Sequence, residues 1–552
     1  MEFVWDPPGP GQWARDRSHM PAGATPIIQH IASVSMPAGM RRSFAEFGTP
    51  LETLDVRFVN GQFYLRLRPL LRPDKPPTKL PPAAVLKLAM RLHPEMRRRN
   101  KTAGKVIAEQ PWNKVIHDWH HGGKAVIVAA NLALQDVDLP ALDDATLLAH
   151  VHRCIEHCLV NFEHHFWLHG HDLGPLGQFL HRAIEWGLPA SEALSLLEGA
   201  SPSTSAPMHA LREIRVLVEA SGRQPTSLDQ LRSISPEIDA LVEDYLRHRG
   251  SVLFSRYDVD GITLGERPDL IFAGIMNAEV HDSSAEVAER IARERLNVAS
   301  EHRGRFDEML LQARAAMDLR DDNGPTTAEW PTGLLRFALL ELGRRLAVHG
   351  HLDQRELVFE LRPDEFTSAL FSGVPSNAEL VNRAGVRRAQ KGADAPALLG
   401  PDEPTPPLEV LPTNLGQMVA MVQTVMRHMG MDGGATGSIA GNGLTGIGVG
   451  TRVMQGRARV ATSPEEALDR LEPGDVLVVA GTTPAYNLVL SLAGGVITAD
   501  GGPMSHAAVI ARELGIPAII GARGALTDIP DGSMVEIDPV AGSVRILSAA
   551  DG

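Results

Sequence analysis

Residues 431–450, MDGGATGSIAGNGLTGIGVG, are too rich in glycine to pack a core, so they read as a flexible tether. The tether also divides two textures. Before it, apolar residues recur at helical spacing over hundreds of positions. After it come short β-rich runs, RVMQGRARVA, DVLVVAG, GGVITAD, PAIIGA and MVEIDPVAGSVRIL, separated by turn signals. A chain built this way folds as more than one domain, and 552 residues suffice for that.

The upstream part is mostly helical. Residues 1–80 form an irregular, β-containing opening in which RFVNGQFYLRLRP alternates around Asn60–Gly61 and reads as a hairpin. Helices are expected over 144–170, 174–197, 206–219, 235–248, 283–318, 326–348 and 376–391. A Pro- and Ala-rich break ends near 413, and a helix then leads into the tether. The boundaries are thus 1–80 and 81–413 for the two parts of a body, 414–442 for helix and tether, and 443–549 for a compact β/α domain.

The chemistry concentrates in ITADGGPMSHAAVIARELGIPAIIG, residues 497–521. Gly501 and Gly502 let another molecule approach the backbone. Ser505 is a good N-cap, which puts His506 in the first helical turn, where free N–H groups and the helix dipole suit an anion and disfavour imidazolium. Arg512, a turn or two on, is a further phosphate-loop candidate. Such a histidine is either a polar helix-start residue or a nucleophile that carries a phosphoryl group.

The balance of 67 acidic against 53 basic residues gives −14, which argues against a general affinity for nucleic acid. No apolar stretch is long enough to span a membrane, and no secretory leader is recognisable. With only two cysteines, Cys154 and Cys158, no disulfide framework is available, and a cytoplasmic location is expected.

The 497–521 segment resembles the phosphohistidine signature of the phosphoenolpyruvate-utilising enzymes, a group that includes phosphoenolpyruvate synthase, pyruvate phosphate dikinase and rifampin phosphotransferase. GIGVGTRVMQGRARV, EPGDVLVVAGTTPAYNLVL and DGSMVEIDPVAGSVRIL extend the resemblance across the C-terminal module. Upstream, GQWARDRSHMPAGATPIIQ, the run from Arg320 to Gly373 and SNAELVNRAGVRRAQ resemble the substrate-holding part of rifampin phosphotransferase-like proteins. The resemblance implies a multidomain fold: a mostly α-helical substrate-type body and a C-terminal swivelling β/β/α phosphohistidine domain. It implies that His506 carries the phosphoryl group between two distant sites.

No stretch reads as an ATP-grasp domain, a G-x-x-x-x-G-K-[ST] phosphate loop or a phosphoenolpyruvate-binding barrel. The organisation resembles a split system such as phenylphosphate synthase, so ATP and Mg²⁺ are expected on a separate ATP-grasp subunit. A small alcohol or phenol is the expected acceptor. The alternatives are a carrier charged by phosphoenolpyruvate and a non-catalytic binding protein that retains the module.

The helix at 144–170 holds His150, His152, His157, His164, His165 and His169. One helix supplies at most an i, i+4 pair of ligands, such as Cys154 with Cys158 or His165 with His169, so no metal site is assigned. Some of these histidines are candidates to line the acceptor pocket and act as general base on a hydroxyl. His164, His165, Asp322 and Arg336 are the substrate-binding candidates. Arg320, Asp321 and Asp322 end a helix and either face the histidine module or form a solvated stop. The basic run RLHPEMRRRNKTAGK is a solvated helix end, or a dock for an acidic partner or nucleotide phosphates.

Overall fold

The computed structural model describes residues 3–16, 23–278, 284–392, 395–428, 439–440, 443–482, 486–503 and 505–548. Half of the glycine-rich tether, 431–438 and 441–442, therefore lies outside the described residues. The chain forms two units. The first comprises Met1–His171, Arg256–Ile262 and Asn323–Ala420; the second comprises Asp172–Ser255, Thr263–Asp322 and Met421–Gly552.

In the first unit, strands Leu51–Val59 and Gln62–Pro69 pair as an antiparallel hairpin closed at Asn60–Gly61, both at positive φ. This is the geometry that suits the right-handed twist of a hairpin. Trp13–Arg15 and Leu398–Leu399 complete a four-stranded sheet. The sequence reading does not contain the 22-residue helix Pro26–Phe47. Its buried face includes Ser35, Gly39 and Ser43 among Ile28, Ala32 and Met36, so burial is periodic where hydrophobicity is not. This helix shares a core with Leu147, Val151, Cys154 and Cys158 of the helix Asp144–Glu185 and with Leu335, Leu339, Leu342 and Leu346 of the helix Trp330–Val348. In the basic run, Arg99 is buried and donates to the Phe44 carbonyl, while Arg98 pairs with Glu95 at the surface.

The second unit contains a helical part and the C-terminal module. Leu211, Ile214 and Val218 of the helix Pro202–Ser221 pack with Leu231, Ile238, Val242 and Ile271 into a small core. The helices expected at 174–197 and 283–318 are each interrupted. One stops at Glu185 before Ala190–Ser195, and the other divides into Ser284–Asn297 and Arg303–Gly324.

In the module, strands Met454–Val460, Val476–Val479, Gly495–Thr498 and Ala518–Ile520 run parallel, with Ile447–Val449 antiparallel at one edge. On the other side Met454–Val460 pairs with the hairpin of Met534–Asp538 and Ser543–Ser548. Alternate residues face opposite ways, as a pleated strand requires. Leu477, Val479, Val496 and Ile520 meet the helices through Val489, Leu490, Ala508 and Ala511. Val476, Val478, Ile497 and Ile519 meet Val535, Ile537 and Val544. Both cores consist wholly of residues between Leu444 and Val544.

Candidate functional site

The carboxyl ends of neighbouring parallel strands are where open α/β sheets present their reactive groups. Here the strand Gly495–Thr498 ends in the loop that leads to His506, and its neighbour Val476–Val479 ends beside Thr482. The two loops are stitched together: Ala499 N–H donates to the Val479 carbonyl at 3.0 Å and Asp500 N–H to that of Ala480 at 2.7 Å. The Thr498 hydroxyl donates to the Asp500 carbonyl and accepts from Gly521 N–H.

Gly501 turns the loop at φ 111°, a conformation that side chains resist, and a Cβ there would lie 3.0 Å from the Ser505 hydroxyl. Gly502 is buried, and its carbonyl accepts from Ser505 N–H at 2.9 Å. Ser505 has extended backbone angles and its hydroxyl accepts from Ala508 N–H, so it caps the helix His506–Glu513. Arg512 donates to the Pro503 carbonyl at 2.8 Å, which ties the far end of that helix back to the loop.

This scaffold fixes the imidazole. Nδ1 of His506 lies 2.8 Å from the Thr482 hydroxyl. Nε2 is sealed from solvent and has no hydrogen-bond partner among the described residues, although the residue as a whole is half-buried. Burial pushes the His506 pKa down to about 3, and the positive charge of Arg320 pushes the same way. The ring is therefore neutral at ordinary pH. One nitrogen is held, and the other is a lone-pair or N–H site with nothing to bond, a costly arrangement for a purely structural histidine.

Arg320 comes from the helix Arg303–Gly324, whose last turns are anchored to the helix Pro202–Ser221. Asp318 accepts from Ser203 N–H at 2.8 Å, and Asp321 accepts from the Thr204 hydroxyl at 2.9 Å. Burial raises the Asp321 pKa, with Arg320 opposing that shift. Met317, one turn before Arg320, shares a cleft with Leu194, Leu197 and Glu198 and with Pro503, Val509 and Arg512 of the histidine loop and helix. Asp322 is buried in this same unit.

The other candidates belong to the first unit. His164 packs between Trp119 and Trp167, and burial lowers its pKa. His165 Nδ1 lies 3.1 Å from the Thr327 hydroxyl. Arg336 donates to the Val259 carbonyl at 3.0 Å and stands over the Phe359 ring. Sequence reasoning did not single out Thr482. The available signal was a polar Gly-Thr-Thr-Pro ending directly after an apolar strand.

The geometry defines a β/α module that presents one histidine at a helix start beside the ends of parallel strands. Residues 471–542 match the mobile domain of the PEP-utilising enzymes. That part of the chain is similar to the PEP-utilising enzymes. Among its relatives, an uncharacterised protein of Mycobacterium tuberculosis is 33% identical over 220 residues, covering 39% of this chain and 22% of that protein. An uncharacterised phosphotransferase of Bacillus subtilis is 29% identical over 246 residues, 45% of this chain and 28% of that one. A rifampicin phosphotransferase of Streptomyces sviceus is 32% identical over 211 residues, 38% of this chain and 21% of the enzyme. In each case the matched stretch spans less than a third of the relative's length.

Proposed function

We propose that the chain is a cytoplasmic phosphotransferase of the PEP-utilising type, in which His506 Nε2 carries a phosphoryl group from a donor site to a small hydroxyl-bearing acceptor. The observation that carries this reading is the buried, unpartnered Nε2 of a neutral imidazole whose other nitrogen is held by Thr482. A neutral ring with a lone pair on Nε2 is a nucleophile, and a covalent intermediate lets two separate sites share one phosphoryl group. The helix start favours the charge gained on phosphorylation, and Arg320 supplies a cation near the ring. The matches to named phosphotransferases support the same chemistry.

The donor in this proposal is ATP held with Mg²⁺ on an ATP-grasp subunit. The metal would neutralise the transferring phosphates there. No residue of this chain is assigned to nucleotide or metal. The acceptor is an alcohol or a phenol.

Intact mass and acid-labile phosphate, measured on the full chain and on His506→Ala, test the reading. Each chain is incubated with Mg-ATP alone, with phosphoenolpyruvate, and with Mg-ATP plus a candidate ATP-grasp chain. Acid-labile phosphate on the unmutated chain alone, and only with the added chain, is the expected result. Charging by phosphoenolpyruvate would replace the donor. No phosphate with a competent partner present would remove the carrier role and leave a binding protein that retains the module.

A further inference from the structure

The helix Ala83–Leu92 of the first unit reads AAVLKLAMRL, yet none of its ten residues is buried. It lies against Leu408–Val410 and against the helix that follows it, Pro94–Glu109. Leu86 and Met90, four positions apart, are half-buried and form the side turned to the protein. Val85, Leu88 and Leu92 are 57%, 59% and 64% exposed. Their spacing of three and four places them in one row along the helix. A single exposed leucine needs no explanation, but an uncovered apolar row on one helix face marks a contact surface.

The row has a charged border. Lys87 and Arg91, also four apart, run alongside it, and both are exposed. The helix Pro94–Glu109 buries Met96, Arg99, Ala103 and Val106 and turns Arg97, Arg98, Lys101 and Lys105 outward. Arg98 pairs with Glu95, and Lys105 with Glu109. Lys87, Arg91, Arg97 and Lys101 meet no carboxylate among the described residues. From Ala83 to Glu109 the sequence holds seven Lys and Arg against two Glu, in a chain whose net charge is −14. The basic run is therefore more than a solvated helix end: it frames an apolar row.

Charge and size select the occupant. A second copy docked about a two-fold axis would set the same cations against each other, and like charges oppose that. A helix that lies in a membrane surface carries Trp or Phe on its apolar face, and Ala83–Leu92 has no aromatic residue. The row from Val85 to Leu92 is about 10 Å long, at 1.5 Å per residue, which matches two turns of one helix. We propose that the exposed face of Ala83–Leu92, with the outward side of Pro94–Glu109, docks an amphipathic helix of a partner protein whose apolar ridge is flanked by Asp and Glu. Val85, Leu88 and Leu92 take the ridge, as in other helix-on-groove contacts read at i, i+3, i+4 and i+7. Lys87, Arg91, Arg97 and Lys101 meet the carboxylates, which fixes the direction of docking and rejects basic helices.

The test uses the full chain and a fluorescein-labelled helical peptide with leucines at i, i+3, i+4 and i+7 and glutamates on its other faces. A second peptide has lysine at every glutamate. Fluorescence anisotropy reads binding, and hydrogen exchange locates it. The glutamate peptide should bind, more weakly as salt rises, and should protect residues 83–105, while the lysine peptide stays free. Leu88→Gln with Leu92→Gln, and separately Lys87→Glu with Arg91→Glu, should each weaken binding about tenfold or more. These positions are exposed, so circular dichroism should show both double variants folded. Failure of the glutamate peptide to bind, equal binding of the two peptides, protection elsewhere, or binding untouched by both double variants overturns the proposal. Capture by phosphatidylserine vesicles with the glutamate peptide unbound gives the face to a membrane instead. A dimer in sedimentation that both double variants dissolve gives it to a second copy.

Discussion

At pH 5.5 an ordinary histidine, with a pKa of about 6.5, is only about one-tenth neutral. His506, whose pKa burial and Arg320 push down to about 3, stays neutral there. The available nucleophile should therefore differ about tenfold from that of an ordinary histidine at this pH. The same shift couples to stability. The folded-state pKa lies below the unfolded value, so between the two the unfolded chain binds the extra proton. Stability is fully present above pH ~6.5 and is lost as pH falls toward the folded-state value. At pH 5.5 the loss from this one group is at most about 1.4 kcal/mol, and it is the same for any folded-state pKa well below 5.5. The assay is a ¹H–¹³C correlation spectrum of the ring Cε1–H in the full chain from pH 8 to pH 4.5, assigned by difference from His506→Asn. A flat chemical shift across the range is expected. Arg320→Met should change little above pH 5, because burial is the larger cause. A titration midpoint near 6.5 would show that Nε2 is hydrated, and the argument for a held-neutral nucleophile would fall with it.

Three further outcomes follow from the geometry. Thr482→Val removes the partner of His506 Nδ1 and should slow phosphorylation about tenfold without changing the melting temperature by more than a few degrees, measured by acid-labile phosphate and calorimetry. In the module, a Cβ at Gly448 would lie 1.7 Å from the Pro539 carbonyl oxygen, so Gly448→Ala should cost about 2 kcal/mol or more, read as a lowered denaturation midpoint. Cys154 and Cys158 are buried, with burial pushing the Cys154 pKa up to about 12 and that of Cys158 well up as well. Both should resist a thiol reagent such as Ellman's reagent at pH 8 until the chain is denatured, and fast labelling in the native state would contradict that burial.

The parts of this molecule legible in the sequence are those whose cause is local. The hairpin needs only Asn60–Gly61 between alternating runs, and the histidine helix needs only Ser505 before an apolar pattern. The apolar strand runs after residue 450 announce a sheet covered on both faces. What escapes is set by distant groups. Thr482 reaches His506 across 24 positions, because two strands end side by side. The helix Pro26–Phe47 hides serines and a glycine in its buried face. His165 meets Thr327 more than 150 residues away, beside a π-helical turn that no hydrophobic period reveals.

Among the described residues, the two cores of the C-terminal module draw only on residues between Leu444 and Val544. A part whose apolar surface is satisfied internally keeps its fold whatever it is joined to. Surface contacts with a neighbour, such as the Arg267–Asp469 ion pair, can be changed by substitution without disturbing that interior. Such a part behaves as a portable cassette: lineages can graft it onto unrelated bodies, and a designer could exchange it between chains while leaving its histidine loop intact.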